Sequence, residues 1–586
     1  MSDYTPPIKD ILFALEHVVG YPDIAKLPGF EHADMESVGD VLDAFGEFAA
    51  EIVAPTNRSG DLKGAVLGDD GTVTTSPGFK EAYQQYVESG WGAVPLPEQY
   101  GGGDFPRTVG LVIHELLNSA NMAFALAPLL GQGAIGALLA YGSEELKDQY
   151  LPNMVSGEWA ATMNLTEPQA GTDVGALTTR AVKQGDGTYA ITGQKIFITF
   201  GDHDLTDQII HLVLARTPDA PAGTKGISCF IVPKLLVNDD GTLGARNGVT
   251  TVSLEEKMGI HGSPTAVLAY EGATGYLIGE ENEGMRIMFN MMNSARLSVG
   301  VQGLSVAERA YQDALAYAKE RKQGKAVGAS ELSPIIDFPD VRRMLMTQKA
   351  YIAAMRRIVL LNAAYIDQST NNPDEQIRER AEEMVGLLTP ISKAFGTDLG
   401  NELTSLAMQI FGGMGYIEET GVAQYYRDVR IAAIYEGTNG IQAMDFVGRK
   451  MPVRMGQSFM EFIAEMKDVL PELEAAGEDF ASIQKNLEKG IDGLEKVTGW
   501  MLQTGQGDPN SVLAGATPFV RVWGLVVGGW LMAKSALAGR GNAEHAKEQL
   551  VLARFYAEQL LPQAAGLMGS ITATSRDLFA LEDDEL

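Results

Sequence analysis

The sequence predicts an α+β protein: a helical domain, a β-domain of barrel or sandwich form, a helical bundle, and a further helical domain. Three observations carry this. Apolar residues recur at helical spacing up to about residue 154. From Trp159 to about Tyr270 the period is two, with turns rich in glycine and aspartate. From Gly284 onward the helical spacing returns. At 586 residues the chain exceeds one core, since single cores stop growing near ~250–300 residues. The expected division is an extension at 1–35, a helical domain at 36–158, the β-domain at 159–282, the bundle at 283–453 and an added helical domain at 454–586.

Residues 8–19 put Ile8, Ile11, Leu12, Leu15 and Val19 on one helical face before the break at Gly20-Tyr21-Pro22. Helical patterns follow at 37–52, 77–89, 106–120 and 143–154. In the β-region, residues 189–199 (YAITGQKIFIT) alternate around a Gly-Gln pair that reads as a hairpin turn. Further strands are expected at 209–215, 226–232 and 264–269, separated by loops at 216–225 and 238–248. The bundle helices are read at 284–321, 339–366, 378–408 and 441–449. The last block is helical, interrupted by a glycine-rich loop at 505–518. Its apolar run 522–533 (VWGLVVGGWLMA) is shorter than the ~20 residues of a membrane span and reads as a buried helix.

A formal net charge of −31 argues against nucleic acid as a partner, because phosphate binding needs basic patches. The single cysteine, Cys229, lies in an apolar run and reads as a small core residue; one cysteine forms no disulfide within the chain, which suits a reducing compartment. The opening MSDYTPPIKD lacks the basic start and apolar core of a secretory signal, so a cytoplasmic location is expected. No His/Cys spacing suggests a metal site. Residues 131–136 (GQGAIG) spell a dinucleotide fingerprint, but their surroundings are helical and no βαβ alternation follows.

Polar chemistry concentrates in residues 411–442, FGGMGYIEETGVAQYYRDVRIAAIYEGTNGIQ. Residues 430–435 read as a helix end with Ile431 and Ile434 on its apolar side. Gly437 ends that helix, since glycine tolerates the backbone angles required there. Thr438 or Asn439 caps a second helix whose apolar face begins at Ile441. Glu436 therefore sits at a helix–helix corner, either as a turn glutamate or as a general base. Exclusion of water strengthens a carboxylate as a base, and neighbouring amides polarise a carbonyl.

Other segments bear on that choice. Residues 164–174, NLTEPQAGTDV, form a loop shaped by Pro168 and Gly171, where Thr166, Thr172 and backbone amides offer donors to a planar heterocycle. In 193–201, GQKIFITFG, Phe197 and Thr199 are two apart on a strand and face one side, which suits a flat ligand or a barrel-core pair. Asn293 and Arg296 share a helix face, as a site pair or a surface pair. Arg321 follows a long helix, where a cation is favourable. In order and spacing, NLTEPQAGTDV, GQKIFITFG and YEGT downstream of FGGMGY resemble the acyl-CoA dehydrogenase family over about residues 42–450.

The resemblance implies noncovalent FAD, a CoA thioester substrate and a trans-2-enoyl-CoA product, with Glu436 removing the α-proton. It implies isoalloxazine contacts from Met163, Leu165 and Thr166, and a place for Gly171 and Thr172 near the pyrophosphate and, for Thr172, the substrate. Phe197 and Thr199 would lie against the flavin. Arg321 would reach the flavin diphosphate of a neighbouring subunit, Gln409 and Gly413 would lie on the adenine side, and Thr438 would join the cofactor contacts. Asn293, Arg296 and Gly437 would face substrate. Thr172 stands where the family usually has serine, Phe197 where many members have tryptophan, and Asn293 where many have aspartate. A homodimer and an electron-transfer flavoprotein as acceptor are implied as well. The opening YTPPIKDILF and the block after Arg454 resemble larger bacterial members. The expected substrate is a short acyl or 3-(methylthio)propanoyl thioester, with a longer fatty acyl chain as the alternative. Flavin oxidases and a non-catalytic DNA-binding branch are the other classes; Glu436 and the net charge speak against the latter.

Overall fold

The computed structural model describes residues 4–586, apart from the side chains of Asn290, Asn293 and Ser294. The chain forms two compact units. One comprises residues 44–105 and 116–298; the other comprises 1–43, 106–115 and 299–586.

The first unit holds the β-region. Six strands lie in the order Trp159–Asn164, Gln208–Ala215, Ser228–Pro233, Thr265–Ile278, Tyr189–Thr199, Arg180–Lys183, and Val249–Leu254 also pairs with Thr265–Ile278. The first pair is parallel and the rest are antiparallel. The long strand Thr265–Ile278 serves two sheets: its start pairs with Tyr189–Thr199, its end with Ser228–Pro233. The Ala181 amide donates to the Arg216 carbonyl at 2.8 Å, which folds the outer strand back toward Gln208–Ala215. Ile191, Val213, Phe230 and Leu268 fill the interior. Leu212, Leu214 and Ile231 pack outward against Leu138, Tyr150 and Met288. Gln208–Ala215 is thus buried on both faces, which is why apolar residues take successive positions on either side of His211 rather than alternating with polar ones.

Several sequence expectations change here. Residues 189–199 form one strand of 11 residues, with no hairpin at Gly193. A Cβ at Gly193 would stand 2.5 Å from the Thr179 hydroxyl, so the glycine marks close packing rather than a turn. The expected loop at 238–248 contains the strand Leu243–Arg246, paired with Leu235–Val237. The helical pattern at 106–120 continues to Tyr141, across a non-helical Asn121 whose side chain accepts from the Phe124 amide. The 131–136 glycines lie inside that helical stretch.

In the second unit the helices Pro339–Asn371 and Glu375–Phe411 pack together, and the helix that ends at Glu320 meets them through Gly300, Gly303 and Glu308. Glycines let these backbones touch: a Cβ at Gly300 would lie 2.5 Å from the Ser392 carbonyl, and one at Gly400 would lie 2.8 Å from Gly303 Cα. Buried ions join distant segments. Arg356 bonds Glu115, Glu308 and Asp10, and Arg357 bonds Asp10, Ser535 and Gln549. Burial opposes Asp10's ionisation, but the two guanidiniums outweigh it and hold the carboxyl well below the usual range. The expected glycine-rich loop at 505–518 is largely helix, because Pro509 starts the helix Pro509–Gly539 at a position where its missing N–H costs nothing. That helix is one of two described helices long and apolar enough to cross a bilayer, yet 72% of its apolar window is buried. Trp523 and Trp530 pack against Phe462.

Candidate functional site

Glu436 lies in the second unit, after the helix Val422–Val429 and a 3-10 turn at Arg430–Ala433. The helix break assigned to Gly437 involves Glu436 too: their φ values are +55° and +84°. Left-handed backbone costs a non-glycine residue about 1–2 kcal/mol, so surrounding contacts must hold it. They are present on both sides. Tyr435 donates from its hydroxyl to Gln302 Oε1. Gln442 Nε2 donates to the Glu436 carbonyl at 3.3 Å, and a Cβ on Gly437 would stand 2.8 Å from that nitrogen. Thr438 caps the helix Asn439–Asp445 by accepting from the Ile441 amide at 3.3 Å, as its position suggested. Asn439 is buried: its Oδ1 accepts from Lys393 Nζ at 2.8 Å, and its Nδ2 donates to Asp398 Oδ1 at 2.6 Å. Glu436 itself is half-buried. Burial and the Glu436 charge both push the Tyr435 phenol far up.

Three other expected residues come together at one end of this unit. Tyr317 stacks on Phe411 with ring centroids 4.2 Å apart, which joins the ends of two bundle helices. Arg321 follows the first; Gln409 and Gly413 flank the end of the second, and all three are exposed. Arg321 Nη2 donates to Gln323 Oε1 at 3.2 Å. A Cβ at Gly413 would meet nothing within 4 Å, so the chain's own packing does not demand glycine there. Open space at that backbone fits approach by a ligand.

The remaining expected residues belong to the first unit. Met163 lies in the apolar core, with Leu165 half-buried against it. Thr166 is half-buried, and Gly171 and Thr172 are exposed on the loop. Phe197 and Thr199 do not follow a regular pleat. Ile198 pairs with Ala266 but Lys195 with Leu268, so the strand carries one extra residue, and Phe197 takes φ +58°. This bulge leaves the Phe197 ring 59% exposed. The Ile196 amide donates to the Thr166 carbonyl at 2.9 Å, so the bulge lies beside the Thr166 loop. An exposed ring beside half-buried hydroxyls fits a flat, partly polar cofactor. Arg296 is buried, and the Asn293 side chain lies outside the described residues.

Sequence reasoning missed what supports the loop. Lys195 Nζ donates to Glu167 Oε1 at 2.8 Å and to the Leu165 carbonyl at 2.9 Å, wholly inside the unit. Glu167 also accepts from the Thr178 amide at 2.7 Å and the Thr179 hydroxyl at 2.6 Å. Burial works against both charges. The Lys195 ammonium and these donors hold Glu167 down to about 2, while burial brings Lys195 down to about 8, so both are ionised at neutral pH. A lysine inside an alternating strand was the available signal. Lys393, fully buried in the run Ile391-Ser-Lys-Ala-Phe395, was another.

Family matches along the chain define an oxidoreductase acting on a CH–CH group. The family models for the acyl-CoA dehydrogenase N-terminal, middle and C-terminal domains match residues 39–158, 162–273 and 282–451. A model described as acetyl-CoA dehydrogenase C-terminal like matches 462–582. The chain belongs to the acyl-CoA dehydrogenase family, whose members are flavoproteins. It is 44% identical to 3-methylmercaptopropionyl-CoA dehydrogenase of Ruegeria pomeroyi, over 98% of this chain and 99% of that one. It is 35% identical to a butyryl-CoA dehydrogenase of Syntrophomonas wolfei, over 98% and 97% of the two chains. An acyl-CoA dehydrogenase from Bacillus anthracis, solved in complex with FAD, shares the fold with a TM-score of 0.75 at 21% identity, over 98% of this chain and 92% of that one.

Proposed function

We propose that the protein oxidises a short acyl-CoA or a 3-(methylthio)propanoyl-CoA to the trans-2-enoyl-CoA, with Glu436 as the base. The observation that carries the assignment is the Glu436 turn: a half-buried carboxylate on left-handed backbone, anchored through Tyr435 and Asn439. FAD, when bound, supplies the acceptor for the hydride that leaves the β-carbon. Glu436 takes the α-proton, and its backbone amide donates to the thioester carbonyl as negative charge grows there. Met163, Leu165, Thr166, Phe197 and Thr199 would hold the ring, and Gly171 and Thr172 would lie near the pyrophosphate. Arg321 would reach the flavin diphosphate of a neighbouring subunit, with Gln409 and Gly413 on the adenine side and Thr438 among the cofactor contacts. Arg296, Asn293, Gly437 and Thr172 would face substrate. The similarity to the Ruegeria enzyme over 98% of this chain, which takes in the last block, supports the short thioether substrate. An electron-transfer flavoprotein would take the electrons, and the chain would work as a cytoplasmic homodimer.

Anaerobic mixing with a panel of acyl-CoA thioesters tests this. Bleaching of the yellow protein is expected to be fastest with short acyl or 3-(methylthio)propanoyl-CoA; a preference for long chains rejects the substrate assignment. Glu436→Gln keeps the shape and removes the base, so its bleaching rate should fall by at least about 10²–10⁴-fold with flavin content near normal. Glu418, a nearby carboxylate in sequence, is engaged by Arg427 at 3.1 Å. A freshly made Glu436→Gln that bleaches at the wild-type rate places the base elsewhere.

A further inference from the structure

We propose that the last block of the chain positions the catalytic turn: Arg521, on the helix Pro509–Gly539, acts through Asp398 and Asn439 to fix the backbone that presents Glu436. The inference rests on the role of Glu436 proposed above. Asn439 is three residues beyond Glu436 and begins the helix Asn439–Asp445. Its buried amide is gripped by Lys393, Thr397 and Asp398, all from the helix Glu375–Phe411. Burial pushes the Asp398 carboxyl up, its bond to Asn439 opposes that, and Arg521, paired one helical turn away with Glu402, faces the same cavity. Arg521 is fixed from two directions. It forms a two-point pair with Glu402, at 2.7 and 2.9 Å, and its guanidinium lies 5.5 Å from the centroid of the Phe395 ring. Asp398, Asn439, Thr517 and Arg521 line one small cavity of about 10 Å³, which places Arg521 beside the Asp398–Asn439 pair.

The same long helix also holds the far end of the short one. Phe446, which follows Asp445, packs on Phe519 and Trp523 at 5.8 and 6.0 Å between ring centroids. Gly524 lets the long helix press on Phe395, since a Cβ there would fall inside the ring's van der Waals shell. The helix after Glu436 is therefore clamped at both ends by residues 519–524. A glutamate keeps positive φ only where its surroundings over-determine it, and this clamp supplies that constraint on the C-terminal side of the turn. The block that distinguishes the chain from a three-domain architecture thereby contributes to the geometry of proton abstraction.

The test uses holoenzyme carrying Arg521→Met, Arg521→Lys, Asn439→Ala and the double variant Arg521→Met/Asn439→Ala. Flavin reduction at saturating thioester is followed across pH, beside substrate affinity, FAD content and melting temperature. Misplacing a reacting group by about 1 Å costs on the order of 10²-fold, so Arg521→Met should slow limiting reduction by about 10–100-fold. Its pH profile should move, while substrate affinity and FAD content stay within about twofold. Arg521→Lys should recover part of the rate, and the double variant should be no slower than Asn439→Ala. A wild-type reduction rate and pH profile in Arg521→Met, with only the melting temperature lowered, overturns the proposal; so does a double variant whose losses multiply. Should Arg521→Met not fold, Asp398→Asn is read by the same criteria. Glu436→Gln separates the two levels. If it reduces its flavin normally, the base assignment fails; if it is inactive while Arg521→Met is normal, the positioning role alone fails.

Discussion

Lys195 and Glu167 are each buried and each charged, and neither is stable without the other. Removing one partner of such a pair costs about 3–5 kcal/mol, because the survivor's charge is stranded. Lys195→Met should therefore lower the urea midpoint sharply, and Lys195→Met/Glu167→Gln should recover most of the loss. Burial holds His203 down to about 3 and His211 down to about 4, against an ordinary value near 6.5. The unfolded chain then binds protons that the folded chain refuses, so stability falls as pH drops from about 6.5 toward 4. Glu167 adds to the loss lower down: its stabilisation is present above its unfolded value and disappears as pH falls toward about 2. Urea midpoints at pH 7, 5 and 4 should decline in that order, and His211→Gln should flatten the decline between pH 7 and 5.

At the scale of elements, the helix Pro509–Gly539 depends on small residues at its contacts. Gly524 faces the Phe395 ring, and a Cβ at Gly528 would stand 2.5 Å from the Tyr556 hydroxyl. Gly524→Ala gains helix propensity but overpacks, and overpacking typically costs about 1–3 kcal/mol. Chemical denaturation should show a net loss, and a stabilised variant would mean that the helices separate without cost. The Glu436 turn shows the opposite economy of side chains: two successive left-handed residues joined to fixed partners, on a segment too short to hold itself.

For the whole molecule, the turn after Phe411 leaves Met414, Tyr416 and Ile417 exposed, Tyr416 by 84%. They lie on the Phe411 turn, next in sequence to Gln409 and Gly413. An apolar patch at this place suits cover by a second copy of the chain. Light scattering should give a dimer as the dominant species, because the last block has already used Trp523 and Trp530 for burial within its own unit. A dominant tetramer rejects this. Tyr416→Asp should shift the population toward monomer and lower FAD content together; loss of neither shows that the patch is not the interface.

The sequence alone determined the order of helical and β regions, the buried state of the 522–533 run, a helix cap at Thr438 or Asn439 and the family, because each is written in local periodicity or in short ordered motifs. Phe197, Thr199 and Glu436 were legible as residues of interest but not in their conformations. A bulge at Ile196–Phe197 depends on which strand lies alongside, and a hydrophobic pattern of period two cannot announce the extra residue. The hairpin expected at Gly193 failed for the same reason: the glycine answers to Thr179, a neighbour made only by folding. The partners on either side of the Glu436 turn, Gln302 on Tyr435 and Lys393 and Asp398 on Asn439, are far from it in sequence. Backbone strain and buried charge are stable only against partners that the fold brings near, so the tertiary structure alone decided how Glu436 is held.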